Sequence, residues 1–69
     1  MKLSARNLLK GKVSKITMGA VNAEVEIELA GGQTIVSIIT INSVERLGLA
    51  VGKEAYAMIK ASNVMIAVD

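Results

Sequence analysis

The clearest pattern in the chain is "AVNAEVEIELA", residues 20–30, in which apolar and polar positions alternate without a break from Val21 to Leu29. Val21, Ala23, Val25, Ile27 and Leu29 fall on one side, and Asn22, Glu24, Glu26 and Glu28 on the other. Strand side chains point alternately to the two faces, so this segment predicts a strand with one buried and one wet face. Upstream, "LLKGKVSKIT" from Leu8 to Thr17 alternates in part and spaces its lysines, which predicts a first strand. Met18-Gly19 reads as the turn between the two, and Gly31-Gly32 as the close of a hairpin. A third strand is predicted over Gln33–Thr40, but there the alternation fails, because Ile35, Val36, Ile38 and Ile39 occupy both faces. A strand apolar on both sides needs cover on both. A lone small barrel covers one, so the other is predicted to be a subunit contact.

Beyond Thr40 the period changes. Asn42 followed three residues later by Glu45 resembles a capping box, and Gly48 suits a helix stop, so a short helix is predicted over Ser43–Leu47. Val51-Gly52-Lys53 reads as a turn. A fourth strand is predicted over Glu54–Lys60 and a fifth over Val64–Val68, joined by the turn "KASN". The order β-β-β-α-β-β with short links fits an all-β fold: a five-stranded Greek-key barrel of the OB type with one short helix. Residues 1–69 read as a single domain, with no repeat, linker or low-complexity segment.

Composition sharpens this picture. A chain of 69 residues buries only about 60% of the surface its unfolded form exposes, so it needs a stabilising aid. With no cysteine and no histidine, disulfides and the usual zinc, copper or iron ligands are excluded. Self-association is left, and an apolar content of 52% with a mean hydropathy of +0.51 supports it. No apolar run approaches the roughly 20 residues of a bilayer span; the longest, "IVSIITI", is strand-sized. No signal peptide is visible. A soluble, cytoplasmic protein with apolar surface buried between subunits is the expectation.

Candidate chemistry is narrow. Without histidine or cysteine, and with no base marked beside any serine, catalysis is not expected. Glu24, Glu26 and Glu28 lack the spacing of a calcium loop and read as a solvated face. The net charge is +2, yet Lys2, Arg6, Lys10, Lys12 and Lys15 all precede the first acid, Glu24. They are either a solvated strand face or a field that attracts an anion. A nucleic-acid-binding OB module normally offers aromatic stacking platforms, and Tyr56 is the one aromatic residue.

A compact oxyanion fits better. It requires convergent hydroxyls, amides and one or two cations. "SARN" supplies Ser4 and Arg6, "KASN" supplies Lys60 and Ser62, and Thr40 adds a hydroxyl before the helix. By pattern alone each is equally an ordinary surface turn.

The segments "SARNLLKGKV", "AEVEIELAGG", "SIITINSVERLGL" and "VGKEAYAMIKASNVMIA" together resemble the molbindin (Mop) family of small molybdate- and tungstate-binding proteins. The resemblance covers essentially the whole chain, and the paired ends "SARN" and "KAS" are its specific part. It implies an OB-type barrel, strand exchange between subunits, and a hexamer built as a trimer of dimers, with oxyanion sites at subunit interfaces. Carried over, the principal site comprises Ser4, Ala5, Arg6 and Asn7 with Thr40, Lys60, Ala61 and Ser62, Asn7 being open to a structural role. A second site type is placed at the "MGAVNAE" turn, with Gly19, Val21 and Asn22 offering mostly amide donors. The ligand implied is molybdate or tungstate, with no organic cofactor, nucleic acid or membrane, in intracellular molybdenum storage or homeostasis. With no DNA-binding or ATPase segment in the sequence, the expectation is a chain that is not itself a complete regulator or transporter subunit. Two readings of other classes stand beside it: a nucleic-acid-binding OB module, and an oligomerisation module whose oxyanion site has decayed.

Overall fold

The computed structural model describes residues 4–69; Lys2, counted above among the leading cations, lies outside them. Strand β1 spans Asn7–Met18, β2 Asn22–Leu29, β3 Thr34–Thr40 and β4 Glu54–Ile59, while helix α1 covers Ile41–Leu47. The strands form one four-stranded sheet in the order β3-β2-β1-β4, so the fourth strand returns to lie beside the first. Every pairing is antiparallel.

The curl of this sheet originates in β1. Its first part, Asn7–Lys12, pairs with β4, and its second, Gly11–Met18, pairs with β2. At Gly11 and Lys12 the strand belongs to both ladders. Gly11 faces inward there, where a Cβ would overlap the Glu28 carbonyl oxygen and lie 2.7 Å from Ile27 Cγ2. Only glycine permits so close a backbone approach. Just beyond, the register slips between Val13 and Lys15, and the Ser14 hydroxyl at this bulge donates to the Glu26 carbonyl at 3.2 Å. A bulge bends its strand and increases local twist. The turn before β4 closes the corner: Val13 donates to the Lys53 carbonyl (2.9 Å) and accepts from the Gly52 amide (2.8 Å).

The concave face holds the core, in which Val13, Ala23, Val25, Ile27, Val44 and Ala57 are buried. Ala23, Val25 and Ile27 are the inward set that the alternation of β2 predicts. Val21 departs from it: it precedes the strand and is exposed, and its carbonyl accepts the Ile41 amide at 2.9 Å. Helix α1 contributes Val44 to the core. It starts two residues earlier than expected, because Thr40 and not Asn42 is the N-cap, accepting from the Ser43 amide at 3.0 Å. Gly48 ends it as expected, in the left-handed conformation (φ 63°), and Lys53 Nζ donates to the Gly48 carbonyl at 3.0 Å.

The convex face carries charge. Lys12 stands opposite Glu28 and Lys15 opposite Glu26 across β1 and β2, while Lys12 also pairs in register with Glu54 of β4. Opposite charges facing across strands contribute roughly 0.2–1 kcal/mol each. Lys10 and Glu54 form an ion pair at 3.3 Å, with both side chains largely exposed.

The fifth strand expected at Val64–Val68 is not formed within the chain. After β4 the backbone makes a 3-10 turn, Ala61–Asn63, and the following residues join no ladder. Met65 (93%), Ile66 (87%) and Val68 (91%) are almost fully exposed. Both neighbours of β1 are already taken, and the outer edges of β3 and β4 stay open within the chain. Between those edges lies an apolar groove of about 490 Å3, lined among others by Ile35, Ile39, Leu49, Ala55, Ala57 and Ile59. Val36 and Ile38 of β3 face the opposite way and are exposed, as the failed alternation of that strand predicts.

Gly11→Ala should destabilise the protein by about 1–3 kcal/mol, the usual cost of forcing extra volume into a packed site. A chemical-denaturation midpoint equal to the parent's would show that β1 and β2 do not approach this closely.

Candidate functional site

The two polar segments singled out in the sequence meet at one end of the sheet. Register pairs Asn7 with Ile59, so Ser4–Arg6, just before β1, and Lys60–Ser62, just after β4, leave the same rung. Ser4, Arg6, Lys60 and Ser62 are exposed and Ala5 is half-buried. Among the described residues none of those four exposed side chains enters a hydrogen bond or ion pair. The 3-10 turn closes on the amides of Asn63 (to Lys60, 2.9 Å) and Val64 (to Ala61, 3.3 Å), not on those of Ala61 and Ser62. The end of the sheet therefore presents two cations, two hydroxyls and uncommitted amides, with no carboxylate in either segment. That donor set suits an anion.

Asn7 behaves differently from its neighbours. It is half-buried, and its Nδ2 donates to the Ile59 carbonyl at 3.1 Å. The remaining N-terminal cations are also accounted for: Lys10, Lys12 and Lys15 face glutamates on the convex side, which is the solvated-face reading. A shallow cavity of about 500 Å3 near Gly11 is lined by Lys10, Lys12, Glu28 and Glu54; its mixed charge selects no anion.

Thr40 does not join Arg6 and Lys60 within one chain. It ends β3, an edge strand, opposite Asn22 at the start of β2, at the far end of the sheet. Its hydroxyl is engaged as the helix cap, accepting from the Ser43 amide and donating to Ser43 Oγ at 2.8 Å. The sequence carried this signal as Thr40-x-x-Ser43, which the more conspicuous Asn42-x-x-Glu45 obscured. Thr40 instead sits beside the second set, Gly19, Val21 and Asn22. There the expectation of free amides fails at Gly19, whose N–H is spent inside the turn on the Asn22 carbonyl at 2.8 Å. The Val21 carbonyl is likewise taken, by Ile41.

With this geometry in place, comparison with known proteins is direct. The TOBE domain model matches residues 3–66. A Haemophilus influenzae protein, named a probable molybdenum-pterin-binding protein, is 54% identical over 69 residues, covering 100% of both chains. The chain belongs to the molbindin (Mop) family of TOBE domains. Solved members superpose closely. MopII from Clostridium pasteurianum has a TM-score of 0.91 at 51% identity, covering 97% of this chain and 100% of that one. The molybdate-bound form of ModG, described as a cytoplasmic molybdate-binding protein, has a TM-score of 0.92 at 54% identity. That match covers 94% of this chain and 46% of ModG. The Mop likeness thus extends through the fold as well as the sequence: a mostly β, curled four-stranded sheet with one short helix.

Thr40→Ala should cost about 1 kcal/mol through loss of the N-cap, and Thr40→Ser should retain most of that stability. Urea denaturation of both variants checks this; equal losses would mean that the methyl group, not the hydroxyl, matters.

Proposed function

We propose that this chain binds molybdate and tungstate, without chemistry, at the interfaces of a homo-oligomer that stores or buffers molybdenum in the cytoplasm. The observation that carries this reading is the Asn7–Ile59 register, which brings "SARN" and "KAS" to one end of the sheet, with Arg6 and Lys60 in no ion pair among the described residues. Relatives named molybdenum-pterin-binding proteins and the molybdate-bound ModG structure support it.

The ligand set is Ser4, Ala5, Arg6, Lys60, Ala61 and Ser62, with Thr40 supplied by a neighbouring subunit. Desolvating a dianion is costly, so every oxygen has to meet a donor. Arg6 and Lys60 supply opposite charge, and hydroxyls and amides supply directed hydrogen bonds. Gly19, Val21 and Asn22 form a second, weaker site, in which Asn22 and backbone groups other than the Gly19 amide act as donors.

The assembly completes the fold. A small core and a long exposed apolar tail leave too little buried for a stable lone subunit. In the proposed hexamer, a trimer of dimers, Val64–Val68 of one subunit enters the apolar groove between β3 and β4 of the next as the fifth strand of its Greek-key barrel. Strand addition to an open edge satisfies the edge's backbone groups and buries alternate side chains. Residues 1–69 act as one domain in this scheme. The outer-face lysines are matched by glutamates and Tyr56 stands alone, so nothing in the fold favours the nucleic-acid reading.

Calorimetry should find molybdate and tungstate bound comparably, and the smaller sulfate at least about tenfold more weakly, roughly 1.4 kcal/mol. Equal sulfate affinity would rule out a size-matched cage. Arg6→Ala should weaken the principal site about ten- to hundredfold, the effect of losing a charge-assisted hydrogen bond, while the second site persists. Molybdate at about 100 times its Kd should stabilise the assembly by about 2.7 kcal/mol per site. Thermal unfolding indifferent to molybdate, together with a bare oligomer in native mass spectrometry, would leave only an oligomerisation module.

A further inference from the structure

We infer that Asn7 is a positioning residue: its side-chain amide fastens the last rung between β1 and β4 and thereby sets the two halves of the anion site against each other. This rests on the oxyanion reading above. The chain's own bonds make the case. Nδ2 of Asn7 donates to the Ile59 carbonyl at 3.1 Å, joining residues 52 positions apart. A carbonyl partner requires the amide nitrogen, so the orientation of this asparagine is decided by chemistry.

Position gives the bond its leverage. Ile59 ends β4, an edge strand, and beyond it the chain turns through a 3-10 helix and joins no ladder of its own subunit. Asn7 begins β1, and before it Ser4–Arg6 lie outside the sheet. Strand ends fray first, because they have partners on one side only. Both donor segments hang from this rung: Arg6 adjoins Asn7, and Lys60 adjoins Ile59. A rung held only by backbone bonds would let the two arms drift, and misplacing converging donors weakens a charged site far more than it weakens a fold. With its Nδ2 committed to Ile59, Asn7 serves the anion through geometry and not as a ligand.

The test uses the assembled protein free of oxyanion, and measures amide hydrogen exchange in wild type, Asn7→Ala and Asn7→Asp. Asn7→Asp is nearly isosteric and removes the donor, so it serves if Asn7→Ala fails to assemble. Both variants should raise exchange at Asn63, whose amide bonds the Lys60 carbonyl beside the rung, at least about tenfold. The remote amides of Gly32, which bonds Leu29, and Gly48, which bonds Glu45, should stay within about twofold. Molybdate affinity of Asn7→Ala should then fall by about tenfold or more. Exchange raised everywhere would reduce Asn7 to a general stabiliser, and unchanged exchange with lost affinity would make it a direct ligand; either overturns the inference. Unchanged exchange and affinity together would overturn it as well. Should wild type bind no molybdate, the oxyanion reading fails while the exchange measurement still decides the fastening of the rung.

Discussion

The structure depends on one close approach, that of the β1 backbone to β2 at Gly11. There a single strand serves two ladders, and any side chain would collide with the Glu28 carbonyl. Because β1 can press against β2 at that point, the sheet can turn a corner and not lie flat. The bulge at Ser14 and the Val13–Lys53 bond complete the turn. Everything that follows is a matter of register. Counting along β1 in one direction from Gly11 brings Asn7 to Ile59. Counting in the other brings Met18 to Ala23, beside Asn22 and Thr40. The two proposed sites thus lie at opposite ends of the same long strand.

A sheet curled this tightly encloses little. The buried set consists of small or β-branched residues, while β3 keeps Val36 and Ile38 exposed and the tail keeps Met65, Ile66 and Val68 exposed. Apolar surface on that scale in so small a protein marks contact with something else. The open edges of β3 and β4 frame an apolar groove lined by Ile35, Ile39, Leu49 and Ile59. The convex face, with Lys12 opposite Glu28 and Lys15 opposite Glu26, carries complementary charge.

This division of labour explains the basic N-terminus. Lys10, Lys12 and Lys15 look in sequence like a field for anions, but the sheet assigns them carboxylate partners. Arg6 and Lys60 have none among the described residues. They adjoin the last rung between β1 and β4, which Asn7 fastens through its side-chain bond to Ile59. The donors proposed for the oxyanion are thus the polar groups that the fold leaves unspent, and the Gly19 amide and Thr40 hydroxyl, which it spends locally, contribute less.

The sequence alone determined much of this. Strict alternation in β2 named its core face, because strand side chains alternate regardless of neighbours. Gly48 announced the end of α1, because few other residues adopt its left-handed conformation. The two-sided β3 announced that Val36 and Ile38 would lie outside the core, because a strand apolar on both faces can bury only one against a single sheet. Three things needed the tertiary structure. Which lysines are neutralised depends on strand register, which pairs residues distant in sequence. The role of Asn7 depends on a hydrogen bond to a residue 52 positions away, which no local pattern encodes. The state of Val64–Val68 depends on what lies beside it: a segment with strand composition becomes a strand only where it reaches an open edge, and within this chain it joins neither that of β3 nor that of β4.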